Sequence, residues 1–433
     1  MLIRFPTPKG LKYTIDLANI AHRTAPRTVE APIEGWIAEP TVIDWGDGTT
    51  ETVQPGSAAF PTHTYAEGQD VFTIVIRSAT GHLPKIRFAA NSYDSDQPEK
   101  FAITKAVTAI SHFAGEQGTS TVLVVHMLCK GASSLTYVDP RYAGYYKYSA
   151  LMQVFSGCSS LAQDIKTFNF SFADQAEELA FNATFFNCTG LTGSIPEGLF
   201  ANNTLAKSFS MVFRGCTGLT GSIPEGLFAN NTLATTFYYA FQGCTGLTGS
   251  IPEGLFANNT LINGNGLGYV FSGCTGLTGS IPEGLFDSNT LATVMEGMFN
   301  NCSGLTGSIP EGLFANNTLA KSFSTVFCGC SGLTGSIPEG LFANNTFLES
   351  VASTFYNCSG LTGSIPEGLF DNCHSLKTVS SCFRSLDKLT GAPYVFWDAI
   401  KHPDITDSAD CYTACSAEMR AQVPVAYGGT MTD

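Results

Sequence analysis

One phrase dominates this 433-residue chain and limits what it can fold into. Leu-Thr-Gly-Ser-Ile-Pro-Glu-Gly-Leu-Phe begins at Leu191, Leu219, Leu247, Leu277, Leu305, Leu333 and Leu361. A Phe-x-x-Cys stands ahead of each copy, with cysteines at Cys158, Cys188, Cys216, Cys244, Cys274, Cys302, Cys330 and Cys358, spaced by 28 or 30 residues. Worn copies flank the array: Ala132 takes the cysteine's place in Cys129-Lys-Gly-Ala-Ser-Ser-Leu, and Leu386 takes it in Phe383-Arg-Ser-Leu. About ten coils therefore occupy residues 125–390, with degenerate ends, as expected where a terminal coil faces water instead of a neighbour. A single coil cannot bury its own apolar face, so the copies fold by lying against one another.

The apolar pattern within a coil predicts its local structure. The fourth residue before the Phe is always apolar (Leu151, Phe181, Phe209, Phe237, Leu267, Met295, Phe323, Val351, Val379), and the residue just before it usually is. Offsets −4, −1, 0 and +3 from the Phe trace one face of a short helix, with Phe and Cys turned inward. Leu-Thr-Gly-Ser-Ile-Pro suits a short strand that proline ends. Glu-Gly turns the chain, Leu-Phe returns to the core, and Asn-Asn-Thr suits a further turn. Stacked coils of this kind predict parallel strands about 4.8 Å apart and ladders of Leu, Ile, Phe, Cys and Asn.

Phe-x-x-Cys-x-x-Leu followed by a short strand ending in Ile-Pro resembles the BspA-like leucine-rich repeats of bacterial surface proteins. The Ile-Pro-Glu-Gly-Leu-Phe extension is similar to versions found in gut bacteria and their phages. The resemblance implies a mixed α/β repeat solenoid of leucine-rich-repeat type over residues 125–390, closed by a C-terminal cap at 391–433. It implies adhesion or ligand recognition and leaves the ligand open.

The N-terminal region reads differently. Thr41-Val-Ile-Asp-Trp-Gly-Asp-Gly-Thr and Val71-Phe-Thr-Ile-Val-Ile are strand-like, with Gly46-Asp-Gly48 as a turn signal. Trp45, Gly46, Asp47, Gly48 and His63-Thr64-Tyr65 resemble the signature of PKD-like domains, which implies an all-β immunoglobulin-like sandwich over residues 1–100, acting as spacer or platform. Asp44 and Asp47 fall short of the six to eight oxygens that calcium takes, so a structural turn is expected there. Residues 101–130 are expected to connect the two regions and cap the first coil.

Fourteen cysteines raise the question of metals and disulfides. Zinc sites need closely spaced Cys or His, whereas eight of these cysteines fall one per coil, which predicts buried free thiols behaving as small hydrophobes. Parallel side chains in a ladder are poorly placed to bridge; a Cys411–Cys415 disulfide is left open. Seven glutamates recur at one coil position, from Glu197 to Glu367, and are expected to be solvated turn residues. The sequence contains no His-Glu-x-x-His, no Gly-x-Ser-x-Gly and no phosphate-cradling loop, and its seven histidines avoid the near-identical coils. No cofactor, metal or catalytic residue is expected.

What varies between coils lies just ahead of the Phe. Tyr238, Tyr239, Tyr269 and Glu296 fall there and form the candidate ligand-binding set, since tyrosine brings large contact area at small entropic cost. Neutral variation of a solvated face is the alternative. A net charge of −14 argues against a phosphate-tracking surface, so nucleic acid is not an expected partner. No apolar run approaches the ~20 residues of a membrane-spanning helix. The start of the chain has no apolar stretch of secretory length. Either a leader has been removed or export follows another route, such as release inside a virus particle. The expected function is non-enzymatic adhesion to a cell-surface glycan or protein. The carrier is a phage virion (tail or capsid-decorating, with the N-terminal domain meeting other virion proteins) or a bacterial surface. A spacer without a ligand and a polysaccharide-acting enzyme are the rivals.

Overall fold

The computed structural model describes residues 10–20, 27–34, 40–56, 61–78, 85–86, 88, 106–114, 129–138, 152–168, 170 and 181–431. Leu151, most of the 101–130 connecting segment, and His22, His82 and His126 lie outside them. Two compact units divide between Thr192 and Gly193, inside the repeats.

The first unit is built on strands β1 (Gly10–Asp16), β2 (Thr28–Glu30), β3 (Ile33–Glu34), β4 (Thr41–Asp44), β5 (Thr50–Val53), β6 (Thr62–Thr64), β7 (Val71–Ser78), β8 (Lys85–Ile86), β9 (Val107–Ala114) and β10 (Tyr137–Val138). Six of them form one sheet in the order β10-β9-β1-β7-β4-β5. Strand β1 alternates as a half-buried strand should: Leu11, Tyr13 and Ile15 are inside and Lys12 is exposed. Trp45 opens the turn between β4 and β5, its indole buried against the His63 ring at 5.0 Å. Gly46 in that turn has φ +81°, and a Cβ there would lie 2.4 Å from the Thr73 carbonyl oxygen, so no other residue fits. Strands β2–β6 and β3–β8 are separate two-stranded pairs. Strand β9, within the segment expected to connect the two regions, pairs antiparallel with β1, and β10 of the first worn repeat adds to it in parallel.

Asp47 receives hydrogen bonds from the Thr49 hydroxyl (2.6 Å) and meets His63 Nε2 at 2.7 Å. Burial works to raise its carboxyl, but the bonds from Thr49 and His63 outweigh it and bring the pKa down to about 2. A carboxyl lowered by folding stabilises above its unfolded value near 4 and loses that contribution as pH falls toward 2.

The repeats correct the expected fold. A mixed α/β leucine-rich-repeat solenoid requires a short helix and a strand in each coil, joined to its neighbours by a continuous sheet. Across residues 181–431, α-helix is confined to Ala417–Arg420. The predicted strand is reduced to isolated single-residue bridges, such as Gly221↔Leu247 and Gly249↔Leu277. The predicted helix is a run of turns. Met211, Tyr239, Tyr269, Thr325 and Ser353, each two residues before the Phe, have φ between +54° and +58°, which a right-handed helix cannot contain. In that run the N–H groups alternate. Phe209, Met211, Phe213 and Gly215 donate to Thr236, Tyr238, Ala240 and Gln242 of the next repeat, at 2.7–3.0 Å. Val212, Arg214 and Cys216 donate three residues back within their own repeat, at 3.0–3.2 Å. A chain of such turns buries the same −4, 0 and +3 positions as a helix would, so apolar spacing alone could not separate the two.

Glu-Gly-Leu-Phe forms a single 3₁₀ turn in four repeats (Glu225–Phe228, Glu253–Phe256, Glu283–Phe286, Glu339–Phe342), opened by proline, with Leu and Phe inside. Beneath it runs a row of fully buried asparagines. Asn289 Nδ2, for example, donates to Phe256 O (3.2 Å) and Asn259 O (3.1 Å) of the preceding repeat. Asn231, Asn259, Asn317 and Asn345 repeat the arrangement. Asn289→Ala removes both bonds and is expected to cost about 1–3 kcal/mol in urea unfolding. Asn289→Asp, which sets a carboxylate against two carbonyl oxygens, is expected to cost more.

Candidate functional site

The eight ladder cysteines are all buried, and none of the fourteen forms a disulfide. Their position is more specific than that of a small hydrophobe. Cys244, Cys274, Cys302, Cys330 and Cys358 each donate through Sγ to the carbonyl of the preceding repeat's Phe, at 2.9–3.0 Å. Within the first unit, Cys188 does the same to Phe155 O and Cys158 to Cys129 O, both at 3.0 Å. Cys415 makes this bond to Phe383 O at 3.0 Å, so Tyr412-Thr-Ala-Cys415 is another copy of the motif with Tyr in place of Phe. Cys411 sits just ahead of that Tyr and is fully buried beside it, its thiol separate from that of Cys415.

Burial pushes these thiols up, that of Cys302 to about 12. Cys328, on the variable face, is only half-buried, though burial raises its thiol as well. One thiol is therefore expected to react ahead of the other thirteen in the folded chain with a disulfide exchange reagent at pH 8, and all fourteen together in denaturant. Several fast native thiols would contradict the buried ladder.

The candidate ligand set lies in two parallel rows. Three residues before the Phe the repeats present Ser210, Tyr238, Gly268, Glu296 and Ser324; two before it they present Met211, Tyr239, Tyr269, Gly297 and Thr325. The structure brings the three tyrosines together. Tyr238 and Tyr239 ring centroids are 4.0 Å apart, and Tyr239 stacks on Tyr269 at 5.0 Å with 23° between planes. Two further residues support these rings. Arg214 lies over the Tyr239 ring at 4.6 Å. A Cβ on Gly297 would fall 2.2 Å from the Tyr269 ring, so that glycine is what allows the ring to lie across the next repeat. All three tyrosines and Glu296 are half-buried.

Glu296 Oε1 accepts from the Ser322 hydroxyl at 2.7 Å. Burial first, then the Tyr239 hydrogen bond and the nearby Tyr269 and Glu296, raise the Tyr238 hydroxyl well above its ordinary value. Burial chiefly raises that of Tyr269. Both hydroxyls remain neutral donors across the physiological range beside an ionisable carboxyl.

A second polar cluster lies toward the C-terminus. Tyr394 Oη donates to Asp371 Oδ1 and meets His402 Nε2, both at 2.9 Å, while Lys401 Nζ reaches the same Asp371 oxygen at 3.0 Å. Tyr394 and His402 are 4% and 3% exposed, which leaves no room for a substrate at the ring atoms. The seven recurring glutamates line a different part of each repeat and are mostly exposed. Among the described residues, no group of three or more His, Cys, Asp or Glu is placed to hold a metal ion. Among them also, no helix is long and apolar enough to cross a membrane. No family model matches the chain, and no curated protein matches it.

Proposed function

We propose that this chain is a non-enzymatic recognition protein that binds a cell-surface glycan or protein through Tyr238, Tyr239, Tyr269 and Glu296. One observation carries the reading: the variable positions of neighbouring repeats, otherwise mostly Ser, Thr and Gly, concentrate three packed aromatic rings, a carboxylate and a guanidinium in one place. Rigid tyrosines with neutral hydroxyls offer apolar edges and donors together, and Glu296 offers an acceptor, a combination that suits a sugar's C–H faces and hydroxyls. The sequence resemblance to repeats of bacterial and phage surface proteins supports an adhesive role on a virion or a cell envelope.

Ser353 and Ser381 occupy the same left-handed position as Tyr239 and Tyr269, so serine is compatible with the backbone there. Tyr239→Ser with Tyr269→Ser is expected to lower binding at least tenfold on a glycan array or on whole host cells, with the thermal melt unchanged. Undiminished binding would remove these residues from the site. A wild-type chain that binds no host surface would favour a spacer.

A further inference from the structure

A different face of the second unit carries a row of apolar side chains that its own fold leaves uncovered. Leu233, Leu261, Leu291, Leu319 and Phe347 occupy one position in five successive repeats, just after Asn-Thr, and are 38%, 40%, 44%, 41% and 55% exposed. They make up five of the eleven exposed large hydrophobics among the described residues, the others being scattered. Scattered exposed leucines need no explanation; a continuous row does. The fold itself does not require them, because Ser375 stands at the equivalent place in the next repeat without disturbing the backbone pattern around it. Phe347 departs from leucine yet becomes larger and more exposed, keeping the row apolar.

We propose that this row is the seam along which a second copy of this chain docks, antiparallel and related by a two-fold axis. The spacing of the row argues for a second copy. Its knobs are set one per repeat, in a stack whose recurring core Phe rings follow one another at 5.7–6.0 Å, and a second copy offers apolar knobs at the same repeat spacing over five repeats. The chain's own row has that pitch by construction, and in the antiparallel arrangement its knobs fall between those of its twin.

A two-fold contact is closed, burying both rows and ending assembly at two. The row is bordered by exposed threonines at 232, 260, 290, 318 and 346, giving an apolar centre with a polar rim. The five side chains expose on the order of 350 Å² of apolar surface, near half of the ~800 Å² per partner in a standard interface. With its threonine border the seam fits a reversible dimer and not an obligate one.

Sedimentation velocity of the full chain from 1 to 100 µM tests this. A monomer–dimer equilibrium is expected, with dimer prevailing at the upper end. Combined Leu261→Asp, Leu291→Asp and Leu319→Asp is expected to give monomer at every concentration, with an unchanged thermal melt. Should the charged variant misfold, serine at the same three positions, as the chain itself uses at 375, is expected to weaken dimerisation at least tenfold. A wild-type monomer at 100 µM, or a dimer that survives these substitutions, would overturn the proposal. The tyrosine variants leave this seam untouched, so the two tests fail independently.

Discussion

The alternation of backbone N–H groups ahead of each Cys is the constraint on which the repeats depend. Every second N–H there leaves its own repeat and bonds to the next, while those between close a turn locally. A helix would direct all of them along its own axis and leave nothing to join one repeat to another. Stacking is the only route by which a 28-residue segment with this composition buries Leu, Phe and Cys, so the conformation that permits bonds between repeats prevails over the helix. The cost is a left-handed residue two before each Phe, on the order of 1–2 kcal/mol for a non-glycine residue. Bonds to the neighbouring repeat accompany these residues, four around Met211 and three around Tyr269. The side-chain ladders act on the same need. Cys thiols and Asn amides donate to carbonyls of the preceding repeat, joining segments at points the main chain does not reach.

Much of this organisation was legible in the sequence. Period, burial of the Phe and Cys positions, and the inward turn of Leu-Phe after Glu-Gly follow from which residues recur and at what distance. The local conformation was read wrongly, because apolar positions at −4, −1, 0 and +3 are shared by a helix and by a run of turns. A distinguishing signal was present one residue before the cysteine. Gly157, Asn187, Gly215, Gly243, Gly273, Asn301, Gly329 and Asn357 are all Gly or Asn, the types that tolerate positive φ, and all adopt it. A residue set suited to left-handed backbone in these eight copies argues against a helix there. In the N-terminal unit the turn at Gly46 was readable from Trp-Gly-Asp-Gly, but the attachment of β9 to β1 depends on a pairing over about 95 residues that no local pattern encodes.

The tyrosine site shows the same division. Its members were visible as departures from a monotonous background, since duplication supplies the background and each exception is then conspicuous. Their arrangement was not visible. Tyr239 and Tyr269 stack because they occupy the same left-handed position in adjacent repeats. Tyr269 can lie across the following repeat only because Gly297 replaces a side chain there. Arg214 reaches Tyr239 from the repeat before, which requires knowing that the residue after one Phe lies beside the residue two before the next. That adjacency belongs to the turn conformation, and the helix expected from sequence does not supply it.

Backbone bonding and surface chemistry are thus separated within each repeat. Positions that donate between repeats through main-chain atoms place few demands on their side chains, and the row holding Met211, Tyr239, Tyr269, Gly297, Thr325 and Ser353 accepts thioether, phenol, hydrogen and hydroxyl on one conformation. Positions bonding through side chains have little such freedom: in the asparagine row, Cys373 is the departure, and its sulfur still faces the same two carbonyls, at 3.6 and 3.8 Å. A surface built this way can change what it recognises without re-solving the fold, because the main-chain bonds that hold the stack together do not depend on which side chain faces outward.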